Sequence, residues 1–293
     1  MLAAVVWRLG AGPFVDGVRA VDGRALLAAS AIGLVTTVCC AWRWTIVARG
    51  LGVRLSLPPA VAACYRSVFL NLVLPGGVAG DVHRGVTHGR DVNDVGRALR
   101  AVAWERTAGQ VVQAVLTLCV LLVLPSPVRS SMPLVAAGLL AAVVVVAAVD
   151  RARAHGAHWA RARNAVLSDI RAGLLHRDAL PPVVLASFVV VAGHVVTFLI
   201  AARTAGVGAP LVRLLPLALL ALLAMVLPSV AGWGPREGAT AWVFASAGLG
   251  ADRGAATAVA YGVLVLAAAL PGALVLVAGS LPIVVRAKGA TNA

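Results

Sequence analysis

The sequence predicts an all-α polytopic membrane protein of about six to eight transmembrane helices, each needing roughly 20 residues to span. Three observations point there. Of the 293 residues, 61% are hydrophobic and 12% are charged, whereas a soluble domain carries roughly 45–50% and 25%. Mean hydropathy is +0.95. Apolar runs of spanning length follow one another along the chain, and the polar segments between them are too short for a soluble domain. Lipid offers no partner to backbone N–H and C=O groups, so these runs are helices rather than strands. No soluble domain fits between them, and residues 1–293 read as one integral membrane domain.

The elements follow in order. Residues 1–9 form an apolar stub, closed by Gly10, Gly12 and Pro13. It has no charged n-region before its apolar part and no clear cleavage site, so it does not read as a signal peptide; too short to span, it reads as the tail of a helix that begins upstream. The first spanning run is 26–47. The second, 57–74, is interrupted by Arg66 and Asn71. Runs 107–124 and 132–149 are separated by Pro125, Ser126, Pro127 and a few further residues, which predicts a helical hairpin. Runs 182–202 and 211–227, a short piece 239–249 and a last long run 255–277 complete the set. Two stretches are rich in arginine. In 84–106, Val92, Val95, Leu99 and Val102 recur at three- and four-residue steps, opposite Arg90, Asp94 and Arg97. In 151–177, Trp159, Val166, Ile170 and Leu174 form a second stripe. Such spacing predicts amphipathic helices at the membrane surface; solvated linkers are the alternative. Two repeat-like halves, about 26–125 and 182–280, are thus joined by a hairpin helix and a basic segment 150–178.

The formal charge is +14, and of 25 basic residues only Lys288 is a lysine. On a polar background this balance would point to nucleic acid; in so apolar a chain it marks cytoplasmic loops, and no nucleic-acid partner is expected. The hairpin 107–149 places both arginine-rich stretches, 84–106 and 151–177, on one side, the cytoplasm. The segment 203–213 then lies outside, and the C-terminal Arg286 and Lys288 lie inside. The chain is read as a multi-pass protein of the cell (inner or plasma) membrane. On this topology the segment 57–81 starts and ends inside, whereas 213–252 starts and ends outside. Each is a re-entrant hairpin or a pair of crossings of which one is short.

Both of these segments carry the same break. The first holds Val73, Leu74, Pro75, Gly76, Gly77, Gly80, Arg84 and Gly85; the second holds Val226, Leu227, Pro228, Gly232, Gly234, Arg236 and Gly238. In each, a glycine follows the proline by ten positions. Proline ends a helix by removing a donor and clashing with the preceding turn, and glycine turns where a side chain would collide. Pro75, Gly76, Gly77, Gly80, Pro228, Gly232, Gly234 and Gly238 are therefore the expected hairpin breakers. Broken hydrophobic segments at matching places in two halves are the sequence pointer to a transporter's binding site; loops at helix ends are the plainer reading.

Charges inside apolar runs need a reason, because one at a helix centre costs roughly 2.5–3.5 kcal/mol on insertion scales. Arg66, Asp81, Arg84, Glu105, Arg106, His194, Arg236 and Glu237 lie in or beside such runs. Of these, Asp81, Arg84, Glu105, Arg106, Arg236 and Glu237 are the candidate head-group site. The arginine fork suits a phosphate, helix N-termini after the two breaks add donors for an anion, and the carboxylates would hold an ammonium or sugar hydroxyls. Structural ion pairing is the alternative for each. His194, with Thr197 nearby, reads as a hydrogen-bonded packing residue. His83 and His88 lack a third ligand, so no metal is expected, and no cofactor. Cys39, Cys40, Cys64 and Cys119 lie in apolar runs without zinc spacing and read as packing residues. The sequence carries no nucleophile elbow, phosphate loop or metalloprotease motif, so no enzymatic activity is expected.

From Trp42 to Gly272 the chain resembles the lysylphosphatidylglycerol synthase transmembrane-region family, which includes the flippase domain of the multiple peptide resistance factor. The resemblance rests on Arg43 and Trp44; Leu51, Gly52, Val53, Leu55 and Ser56; Asn71; Leu74 to Gly77; Gly80, Asp81 and Arg84; Glu105, Arg106 and Gly109; Leu227 to Ser229; Gly232, Gly234 and Arg236 to Gly238; Tyr261; and Leu270 to Gly272. It implies a bacterial lipid flippase or transporter that moves a phospholipid or polyprenyl-linked lipid between leaflets, with anionic or zwitterionic membrane lipids as partners. Two departures matter. The chain has no soluble synthase block after its last helix, so synthase activity is not expected, and Gly262 stands where the resemblance implies an arginine. The alternative functions are a membrane accessory subunit of a separate synthase or glycosyltransferase, and a membrane-embedded transferase using a lipid-phosphate donor.

Overall fold

Prolines, glycines and short acceptor side chains set the helix ends. The computed structural model describes residues 12–124, 157–226 and 234–290, and these form α-helices joined by short turns, with no strand among them. In order they are α1 (Gly12–Arg19), α2 (Gly23–Gly50), α3 (Leu57–Val73), α4 (Ala79–Asp91), α5 (Val95–Val123), α6 (Ala157–Gly173), α7 (Leu180–Thr204), α8 (Leu211–Leu223), α9 (Pro235–Ser246) and α10 (Ala251–Ala290). A 3₁₀ turn, Ala224–Val226, follows α8. Asp22 starts α2 by accepting from the Ala25 N–H at 2.8 Å. Asp94 does the same for α5 with Arg97 at 2.9 Å. Pro58 and Pro59 open α3, and Pro181 and Pro182 open α7, where a missing N–H leaves no bond unmade.

Four of these helices are long and apolar enough to cross a membrane: Gly23–Gly50, Val95–Val123, Leu180–Thr204 and Ala251–Ala278. At about 1.5 Å per residue each exceeds a hydrocarbon core of roughly 30 Å. The protein is a polytopic α-helical membrane protein. Between the spans lie two pairs of short helices, α3 with α4 and α8 with α9, so the order long–short–short–long occurs twice. The members of each short pair pack on each other, and the two sets interleave: α2 lies along α7, and α10 packs on α2, α3, α7 and α9. Phe198, Phe244, Tyr261, Leu214 and Leu217 centre one buried cluster; Trp44, Val47, Cys64, Val102 and Val183 centre the other.

The arginine-rich stretch 84–106 is not one surface helix. It divides at 92–94, where Asn93 adopts a left-handed φ of 57° and Asp94 caps a fresh start. The second part then runs without interruption into the span. The stripe that predicted a surface face instead buries Val102 against the bundle, beside the interior Ala98 and Ala101. In the other basic stretch, α6 docks by its C-terminal end. Asp169 accepts from Arg100 Nε at 2.8 Å and from the Trp104 indole at 3.2 Å, and Gly173 is buried against Leu51. Val166 of the expected stripe is exposed. The run 132–149 and its Pro-Ser-Pro turn lie outside the described residues.

Candidate functional site

The site begins with a carboxylate in an apolar interior. Glu105, on α5, is buried. Its Oε1 accepts from Arg43 Nε of α2 at 2.8 Å and also from Arg43 Nη2, and its Oε2 accepts from Arg84 Nη2 of α4 at 2.7 Å. Arg43 Nη1 donates to the Ser187 hydroxyl of α7 at 2.9 Å. Gly109, one turn beyond Glu105, makes room for this guanidinium: a Cβ there would lie 2.8 Å from Arg43 Nη1. Arg84 lies over the Trp44 ring, 4.7 Å from its centre, an arrangement that favours a cation.

Asp81, one turn before Arg84, is the second hub. Its Oδ1 accepts from the Ser67 hydroxyl at 3.1 Å and from Arg84 Nε at 3.0 Å. Its Oδ2 accepts from the Asn71 amide at 2.7 Å and is 3.0 Å from Arg106 Nη1. The Asn71 side-chain oxygen in turn accepts from the Gly80 N–H at 2.7 Å, which uses one of the free donors at the start of α4. A side chain at Gly80 would collide with the Ser67 backbone, so glycine allows α3 and α4 to approach here. Arg106 is the open member, with 43% of its side chain exposed.

The second half contributes a matching pair at the start of α9. Glu237 has no exposed surface. It pairs with Arg236, which donates from Nε to its Oε1 at 2.9 Å, and it accepts from the Gly234 N–H at 2.6 Å through Oε2. Gly234 has φ 124°, a conformation that side chains disfavour. Arg236 lies 5.2 Å from the centre of the Tyr261 ring. It occupies the space left by Gly262, where a Cβ would be 2.7 Å from Nη2. The Tyr261 hydroxyl is 2.9 Å from His194 Nδ1.

One cavity of about 380 Å³ joins these groups, and Asp81, Arg84, Glu105, Arg106 and Arg236 all line it. Glu237 stands behind Arg236. His194 also lines the cavity, with Tyr261 as its partner; Thr197 bonds instead to the Gly193 carbonyl at 2.9 Å. Arg66 does not line it. Of the expected breakers, Pro75, Gly76 and Gly77 form the turn between α3 and α4, with φ 95° at Gly76 and 69° at Gly77. Gly80 and Gly238 sit inside the first turns of α4 and α9 rather than in the breaks. Gly80 is there for close packing. Gly238 continues the helix because its N–H donates to the Gly234 carbonyl at 3.2 Å. Pro228 and Gly232 lie outside the described residues. The candidate set had omitted Arg43, Ser67, Asn71 and Ser187. Arg43 carried a signal, a charge inside the run 26–47; serines carry none.

The carboxylates do not face the cavity with free oxygens: arginines, amides and hydroxyls already engage them. Four arginines from four helices meet three carboxylates, an excess of one positive charge. The family model described as lysylphosphatidylglycerol synthase TM region matches residues 1–272, nearly the whole chain, and the chain belongs to that family. The comparison with curated proteins gives no match, and neither does the comparison with solved structures.

Proposed function

We propose that this member of the lysylphosphatidylglycerol synthase TM region family is a non-catalytic lipid flippase. It takes the phosphate head group of a phospholipid or polyprenyl-linked lipid into the arginine-lined cavity and carries it between leaflets. The observation that carries this reading is the cavity itself: about 380 Å³, lined by Arg43, Arg84, Arg106 and Arg236 within a bundle of apolar spans. Ligand pockets run to roughly 300–1,000 Å³, so this space suits a head group and leaves the acyl or prenyl chains in the bilayer. Arg106, half-exposed and bound to Asp81 through one nitrogen, keeps donors for phosphate oxygens, and the buried guanidiniums behind it add positive charge to the cavity wall.

The two short pairs supply the means of moving. At about 1.5 Å per residue, α3, α4, α8 and α9 are roughly 26, 20, 20 and 18 Å long, less than a core of roughly 30 Å. That supports re-entrant hairpins entering from opposite faces, with the turn 92–94 between α4 and α5 and the basic helix α6 on the cytoplasmic side of the cell membrane by the arginines around them. Movement of the hairpins against the four spans would expose the cavity to each leaflet in turn, passively or coupled to an ion gradient.

Reconstitution tests the proposal. Purified protein in liposomes should move acyl-chain-labelled lipids faster than protein-free liposomes do. Arg236→Ala should slow that movement by about tenfold, the equivalent of roughly 1.4 kcal/mol. Wild-type protein that moves no lipid class faster than empty liposomes would sink the proposal.

A further inference from the structure

We propose that the cavity selects lipids whose head group carries a phosphate anion and no amine. Phosphatidylglycerol and polyprenyl phosphate share that chemistry. The inference rests on the lipid-binding reading above and narrows it.

The first support is the state of the acceptors. A carboxylate offers about four lone-pair sites. Asp81 uses four: Ser67 and Arg84 on Oδ1, Asn71 and Arg106 on Oδ2. Glu105 holds Arg43 by two bonds and Arg84 by a third. Glu237 holds Arg236 and the Gly234 N–H and does not line the cavity. An entering ammonium would therefore have to displace a guanidinium from a buried pair before it met a carboxylate.

The second support is the state of the donors. Arg106 gives one nitrogen to Asp81 and keeps much of its fork open. Gln110 and Gln113 follow it along α5 at steps of four and three residues, on the same helix face, and both line the cavity. Neither amide is hydrogen-bonded among the described residues. A phosphate placed against this row would take charge-assisted bonds from Arg106 and neutral ones from the two amides.

The third support is the balance of charge. Four arginines against three carboxylates leave one positive charge, and it falls on Arg106, the half-exposed member, where charge-assisted bonds to an anion can form. A monoanionic head group cancels it. A zwitterion brings a phosphate but also an ammonium, leaving the excess in place, and a net-positive head group adds to it.

The test uses the full chain in liposomes with lipids labelled on the acyl chain, so that head groups stay native. Dithionite quenching from outside reads the rate. Phosphatidylglycerol should move at least about tenfold faster than phosphatidylethanolamine or phosphatidylcholine, a difference of roughly 1.4 kcal/mol. Unlabelled polyprenyl phosphate at equal mole fraction should slow it, whereas soluble inorganic phosphate should not. Arg106→Gln should remove most of the preference, and Arg106→Glu should reverse it in favour of the amine lipids. Equal rates for all three lipids, or a preference for the amine lipids, would overturn the inference while leaving the flippase reading intact. Competition by inorganic phosphate alone would overturn the lipid assignment. If nothing moves, transport fails as a reading, and selectivity is read from lipid retained on the detergent-purified protein after incubation with an equimolar mixture. Enrichment of phosphatidylglycerol then supports the inference, and equal retention overturns it. If the Arg106 variants do not fold, the wild-type lipid ratio decides alone.

Discussion

Glu105 is the residue on which the most depends. It is buried, it binds guanidiniums from two other helices, and no other carboxylate pairs with Arg43 among the described residues. Removing one partner of a buried pair costs about 3–5 kcal/mol. Glu105→Gln is therefore expected to lower the thermal midpoint in detergent by of order 10 °C, at about 2–4 °C per kcal/mol. Glu105→Asp should recover part of the loss. Arg106→Gln should behave differently: Arg106 itself is 43% exposed and the buried Asp81 keeps Ser67, Asn71 and Arg84 as partners, so the loss should stay at about 0–1 kcal/mol, as for an exposed pair. Its melting should change little while its lipid movement falls. The site's charges were legible because a charge inside an apolar run stands out against a composition this poor in charge. Arg43 escaped because it precedes Arg49 and Arg54 and so resembles the basic end of a helix. Ser67 and Ser187 escaped because a serine in an apolar run is ordinary until an arginine is found beside it.

At the level of elements, the short hairpins depend on glycines that admit neighbours. Gly80→Val would drive side-chain atoms into the Ser67 backbone. It should separate α3 from α4 and destabilise the protein by about 1–3 kcal/mol, as overpacking does, with lowered thermal stability and lowered transport together. Gly262→Ala is the informative contrast. Its Cβ would meet the far end of the Arg236 side chain, 2.7 Å away, and a side chain can shift where backbone cannot. Transport should fall several-fold with a smaller change in melting. The spans themselves were legible from apolar runs of sufficient length. The division between α4 and α5 was not, because the valine and leucine stripe continues across it. Only Asn93, which tolerates a left-handed conformation, and the capping Asp94 mark the break, and both are short polar residues in a stretch already full of polar ones.

For the molecule as a whole, arginine placement makes a topology that can be measured. In a background with the four native cysteines replaced by alanine, Gly208→Cys should react with an impermeant maleimide on intact cells, and Ser168→Cys should react only after permeabilisation. Both positions are exposed. The opposite pattern would invert the topology and with it the assigned entry side of each hairpin. The recurrence of long–short–short–long was visible in the sequence as two matching breaks. That the two halves close around a single cavity was not, since no periodicity within one helix reports which other helix it will face.

The partners of Arg43 also impose an order on biogenesis. The arginine is synthesised 62 residues before Glu105 and 144 before Ser187. At about 5–20 residues per second, the first interval alone lasts several seconds. During that time α2 holds a cation with no counter-charge, and a lone arginine is poorly accepted by lipid. The first span is thus expected to linger at the insertion machinery until α5 arrives. A nascent chain arrested after α4 should crosslink there through α2, and Arg43→Leu should release it early.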